Sequence, residues 1–137
     1  MAGGVQLEIV LRLLLAAALG AGIGYQRERV GKPAGLRTHI LIALGSALFT
    51  VVSLFGFGGQ ADPSRIAAGV VTGIGFLGAG VIFRGMRSDG PVMGLTTAAS
   101  VWVTSAIGLA CGVGMYFIAV IIGVLTVGVL MLPKVRG

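Results

Sequence analysis

Carboxylates are nearly absent from this sequence: Glu8, Glu28, Asp62 and Asp89 are the only acids among 137 residues. There is one histidine, His39, and one cysteine, Cys111. So small a supply excludes most catalytic constellations, because no two carboxylates share a common face and no phosphate loop of the Gly-Lys-Ser type is present. We therefore expect no catalytic residues and no enzyme. A single cysteine excludes an internal disulfide and has no partner for a metal site, so Cys111 reads as a small packing residue. No cofactor and no metal are expected. Charge of either sign is scarce too, at 10% of residues, where soluble domains carry about a quarter.

What replaces charge is apolar surface. Hydrophobic residues make up 56% of the chain and the mean hydropathy is +1.05, so residues 1–137 read as one domain whose apolar faces meet a lipid bilayer. The net charge of +6 would suggest a nucleic-acid partner in a soluble protein. Here the basic residues sit in short loops between apolar runs, where membrane topology explains them, and no nucleic-acid partner is expected. The N-terminus lacks the basic n-region of a signal peptide and is read as the first span.

The run Ile66–Phe83 contains Gly73-x-Gly75-x-x-Gly78, which matches a dinucleotide-binding fingerprint on paper. That fingerprint needs a preceding strand and an acid about 20 positions on, and Asp89 lies too close. Eighteen apolar residues reach roughly 27 Å as a helix, close to a bilayer core. The glycines read instead as helix-packing positions: Gly69 and Gly73, with Gly75, Gly78 and Gly80, on span 3, and Gly20 and Gly24 on span 1.

Five spans are expected, at about Val5–Tyr25, Leu36–Phe57, a third opened by Asp62-Pro63 as N-cap and first helical residue, Leu95–Cys111 and Met115–Leu132. Arg12 falls inside the first, with Glu8 one turn earlier as its partner. Arg27, Arg29, Lys32, Arg37, Arg84, Arg87, Lys134 and Arg136 collect on one side, against Arg65 and Arg12 on the other. That bias makes the loop-rich side cytoplasmic, with the N-terminus outside and the C-terminus inside. Gly20-Ala-Gly-Ile and Pro33-Ala-Gly-Leu-Arg-Thr38 are echoed 58 to 59 residues later by Gly78-Ala-Gly-Val and Pro91-Val-Met-Gly-Leu-Thr-Thr97. Spans 1–2 and 3–4 thus read as two copies of one hairpin, with a site possible at the repeat interface.

Both Gly-Leu-x-Thr segments place helix N-termini and hydroxyls at the inner boundary, which favours anions. A polar pocket of Arg27, Glu28, Arg37, Thr38, His39, Thr96 and Thr97 is the functional reading; capping and topology-setting charge are the ordinary one. Asp62 and Arg65 form a candidate pair at the outer end of span 3. Thr96, Thr97, Ser100 and Thr104 recur at about helical spacing, a stripe that should face protein or water. Trp102 lies mid-span and is expected in a helix or subunit contact.

Ile23-Gly24-x-x-Arg27-Glu28, Ala34-Gly-Leu-Arg-Thr-His39, Asp62-x-x-Arg65-Ile-Ala-Ala, Gly73-Ile-Gly-Phe-Leu-Gly-Ala-Gly80 and Gly94-Leu-Thr-Thr-Ala-Ala99 together resemble the MgtC/SapB family of bacterial inner-membrane proteins. The resemblance runs from Leu11 to about Gly114. It implies a hydrophobic domain tied to magnesium limitation and, in some members, to survival of pathogens in host cells. It also implies action by restraining membrane partners, the proton-translocating ATP synthase among them, with direct magnesium transport doubtful. Many members carry Glu where this chain has Gln26, and longer members add a soluble C-terminal domain. The leading expectation is a non-enzymatic modulator that forms homo-oligomers. The rival is a small oligomeric transporter or channel with its site between the hairpins.

Overall fold

The computed structural model describes residues 3–59, 62–85 and 94–133, and among these every regular element is an α-helix. There are five: α1 Gly3–Arg29, α2 Leu36–Phe55, α3 Pro63–Gly85, α4 Leu95–Gly112 and α5 Tyr116–Leu130. The first four are long and apolar enough to cross a bilayer. α5, at 15 residues, reaches only about 22 Å at 1.5 Å per residue, so it is shorter than the span expected there.

α1 runs four residues further than its apolar pattern. Arg27 and Arg29 fall in its last turn, where cations complement the helix dipole. Gly31 then closes the helix with φ +76°. The Lys32 amide reaches the Arg27 carbonyl and the Gly31 amide reaches Glu28, the paired bonds of a left-handed C-terminal cap that glycine adopts without strain. α4 ends the same way at Gly114, φ +88°, with Met115 N–H donating to the Ala110 carbonyl. α3 begins as its sequence predicts. Asp62 Oδ1 accepts from both the amide (3.0 Å) and the hydroxyl (2.7 Å) of Ser64. Those two bonds, the hydroxyl's first, hold the Asp62 carboxyl below its ordinary range.

The two-hairpin reading has a counterpart in the packing. α1 lies against α2 and α3 against α4, and the hairpins meet where α2 crosses α4. A side chain at Gly20 would strike the His39 carbonyl, 2.6 Å from its Cβ; the echo position Gly78 faces Ala98, 59 residues on from His39, at 3.6 Å. Ser46 donates to the Ser105 carbonyl at 2.7 Å, and these two are themselves 59 residues apart. A residue that touches its own echo is what a two-fold repeat axis requires. That places the pseudo-axis at the α2–α4 crossing. α5 has no echo and packs on α1 and α4.

Close approach falls on different glycines from those expected. Gly20 and Gly24 do bring α1 onto α2, since a Cβ on Gly24 would lie 2.8 Å from the Leu36 Cα. On α3, however, Gly69, Gly73, Gly75 and Gly80 have nothing within 4 Å of a built Cβ, and Gly78 has only ordinary contact. Their packing role within the chain is therefore corrected: α3 turns Ile74 and Gly78 inward, while Gly69 and Gly73 lie on the flank of α3 that lines an open groove against α2. The tight crossing instead uses Gly108, whose Cβ would collide with the Ala43 carbonyl oxygen, and Gly112, whose Cβ would lie 2.6 Å from the Thr50 Cβ. Gly108-x-x-x-Gly112 carries the same spacing signal as the other two pairs, which the sequence reading passed over.

At the end of the bundle formed by α1's N-terminal half, Arg12 is held more completely than an interfacial ion pair. Its Nε donates to Glu8 at 3.3 Å and its Nη1 to the Gly112 carbonyl at 2.9 Å. The guanidinium also lies over the Phe55 ring, 5.4 Å from its centroid, and Tyr116 Oη donates to the Glu8 carboxylate. One cation thus ties together α1, α2, α4 and α5.

Candidate functional site

The opposite end of the bundle brings the C-terminus of α1 against the N-termini of α2 and α4. Ile23 and Gly24 are buried there, and one turn on, Arg27 is carried inward with only 3% of its surface exposed. Its Nη2 donates to Thr97 Oγ1 at 3.0 Å, while its Nε is buried without a partner among the described residues. The ion pair recorded among the described residues is Arg12–Glu8, at the other end. Among the described residues Arg27 therefore holds a buried positive charge with one neutral hydroxyl as acceptor, which is costly in a low-dielectric interior.

His39 lies beside it, fully buried. Nδ1 is 2.9 Å from the Gly35 carbonyl and Nε2 is 3.0 Å from Ser100 Oγ. A carbonyl can only accept, so the neutral ring carries its proton on Nδ1 and Nε2 accepts from Ser100. The Ser100 hydroxyl has a second acceptor, the Thr97 carbonyl at 2.8 Å. One proton thus has two places to go. Thr104, one turn deeper, donates to the Ser100 carbonyl at 2.6 Å. The result is a buried polar seam, Arg27–Thr97–Ser100–His39, with Thr104 below it, in the contact between the two hairpins.

Of the seven residues expected in one pocket, the structure brings together three: Arg27, His39 and Thr97. Arg37, Thr38 and Thr96 are exposed and do not share that buried position. Their expected place is corrected: Thr38 and Thr96 each sit one residue from a buried position and Arg37 sits two, and about 100° of rotation per residue turns them outward. Glu28 is also exposed and does a different job. Its carboxylate accepts the Leu36 amide at 3.0 Å, capping the start of α2 from the preceding helix. The helix N-cap positions themselves are Gly35 and Gly94, without side-chain caps. Ser100, noted only as part of a stripe, proves to be the link between His39 and Thr97.

Asp62 and Arg65 do not close an ion pair, since the Asp62 carboxylate is taken up by Ser64. Trp102 is 59% exposed on the outside of α4, not in a helix contact of its own chain. Gln26 donates to the Leu130 carbonyl at 3.2 Å and leaves its Oε1 buried without a partner among the described residues. The side chain of Arg84, and Arg87, Asp89, Lys134 and Arg136, lie outside the described residues. Among the described residues no three His, Cys, Asp or Glu side chains gather as a metal-ion site would require.

Two apolar hairpins closed on a buried cation define a polytopic membrane protein with a polar seam at one end of its bundle. The MgtC family profile matches residues 13–136. The chain is 51% identical over 130 residues to YhiD of Escherichia coli (strain K12), provisionally named a magnesium transporter, covering 90% of this chain and 59% of that protein. It is 42% identical over 123 residues to Protein MgtC of Brucella abortus (strain 2308), covering 88% and 50%. To Protein SapB of Bacillus subtilis (strain 168) it is 40% identical over 116 residues, covering 80% and 49%. This chain belongs to the MgtC family. It spans 59% of the length of the first of these relatives and about half that of the other two. No solved structure matches it.

Proposed function

We propose that this chain is a bacterial inner-membrane protein of adaptation to magnesium limitation that acts without catalysis, by binding membrane partners through its lipid-facing helices. Its N-terminus lies outside and its basic loops lie in the cytoplasm, following the bias of Arg27, Arg29, Lys32 and Arg37. The magnesium link rests on the family and on the name of the E. coli relative. By resemblance, the partners include the proton-translocating ATP synthase and further copies of this chain, and the setting includes survival of pathogens inside hosts.

The observation that carries the modulator over the transporter is the filled interface between the hairpins. Arg37, Thr38 and Thr96, which would have lined a polar cavity, face outward, and the crossing is sealed by Ala43, Ser46, Gly108 and Gly112 in near-contact. Arg27 argues further against magnesium passage. A fixed cation in a buried seam raises the electrostatic barrier to a divalent cation there. The transporter reading is favoured by the name of the E. coli relative, and one experiment separates the two. Purified protein in proteoliposomes is expected to pass no Mg²⁺, protons or phosphate above protein-free vesicles, while the same gene restores low-magnesium growth to a bacterium deleted for its own MgtC-family protein. A Mg²⁺ flux above that of protein-free vesicles would establish the transporter instead.

A further inference from the structure

α3 touches α4 along one line and approaches α2 more loosely, and between α2 and α3 lies an open groove of about 570 Å³. Its floor is made by absence: Gly45 on α2 and Gly69 and Gly73 on α3 leave a furrow where side chains would stand. Its walls are apolar, Phe49 and Leu77 among them. At one end stands Arg65, exposed and outside any ion pair among the described residues. The same furrow is closed on the other side of the repeat axis, where α1 meets α4 under the cover of α5.

We propose that this groove seats one acyl chain of an anionic phospholipid, with the lipid phosphate on Arg65. Length decides against a transmembrane helix as the occupant. From Arg65 to Leu77 is twelve residues, roughly 18 Å along the helix axis, which matches one leaflet of a bilayer whose whole core is about 30 Å thick. A partner helix would need a groove running the full depth of α3. Charge complementarity fixes the direction: among the described residues lining the slot the one charged group is the guanidinium at its end, whose planar fork suits phosphate. The glycines of α3 thereby gain a use that packing within the chain does not give them. Gly69 and Gly73 keep the slot open, and a Cβ at either meets nothing within 4 Å, so filling it does not disturb the fold.

Native mass spectrometry of the purified full chain, released from micelles containing palmitoyl-oleoyl phosphatidylglycerol, tests this. One phosphatidylglycerol per protomer is expected to survive detergent release, and the matching diacylglycerol, which lacks phosphate, at least tenfold less. Arg65→Gln should lower retained phosphatidylglycerol at least fivefold. Gly73→Leu, and independently Gly69→Leu, should abolish retention while helical circular dichroism and melting temperature stay at or above those of the parent. Equal retention of phosphatidylglycerol in both leucine variants would overturn the proposal. So would a leucine variant that lowers the oligomeric state with its bound lipid unchanged, since a second copy would then be the occupant.

Discussion

Arg27→Met is expected to make the protein more stable, by about 1–3 kcal/mol in detergent unfolding, and to abolish restoration of low-magnesium growth. The two effects have one cause. Arg27 is 3% exposed, donates one hydrogen bond to a neutral hydroxyl and leaves its Nε without a partner among the described residues. Removing a guanidinium from such a place recovers its desolvation cost, and the flexible methionine stem refills the volume. A charge kept against its own free energy has a use in the site. Arg27→Lys retains the charge with a more strongly hydrated head and a different geometry, so it should melt lower than Arg27→Met and restore growth only in part. If Arg27→Met melts several degrees lower than the parent, the guanidinium is well paired and the seam has been misread.

The second large effect is a matched pair of glycine substitutions. Gly108→Ala is expected to destabilise by about 2 kcal/mol, since its new methyl group meets the Ala43 carbonyl oxygen and the Ser46 Cβ at 2.9 Å, and neither can swing away. Gly73→Ala carries the same gain in helix propensity, about 1 kcal/mol, into open space, so it should be neutral or stabilising. Chemical denaturation of both variants in the same micelle reads the difference. Equal effects would mean that the α2–α4 crossing is not the closely packed one.

These two positions also mark how far the sequence could be read. Length, hydropathy and the Asp62-Pro63 start are local signals, and they placed α1 to α4 within a few residues. The 59-residue echo was legible because a repeated hairpin repeats its turn chemistry, and the Ser46–Ser105 contact is its geometric consequence. Spacing alone could not say which glycine pair meets another helix. Gly20/Gly24, Gly69/Gly73 and Gly108/Gly112 share one pattern, yet two pairs face helices and the third faces a groove. That choice depends on the rotation of each helix about its axis. The same rotation separated Thr97 from Thr96 and His39 from Thr38 and Arg37: each step in sequence turns about 100° on a helix, and only one position of each group turns inward. Ser100 was visible as a hydroxyl at helical spacing, but its link to His39 needs the α2–α4 packing that brings residues 61 positions apart within 3.0 Å.

A modulator without a conduction path requires a closed interface between the hairpins. Ser105 sits there, 2% exposed, with its carbonyl held by Ser46 and its hydroxyl turned back to Trp102. Ser105→Cys, in a Cys111→Ala background, therefore places a thiol of similar volume at the centre of the crossing. In sealed membrane vesicles of both orientations, a membrane-impermeant thiol reagent should leave that cysteine unlabelled from either side until the protein is denatured. Labelling of the native protein from either face would reveal an aqueous path between the hairpins and contradict the account.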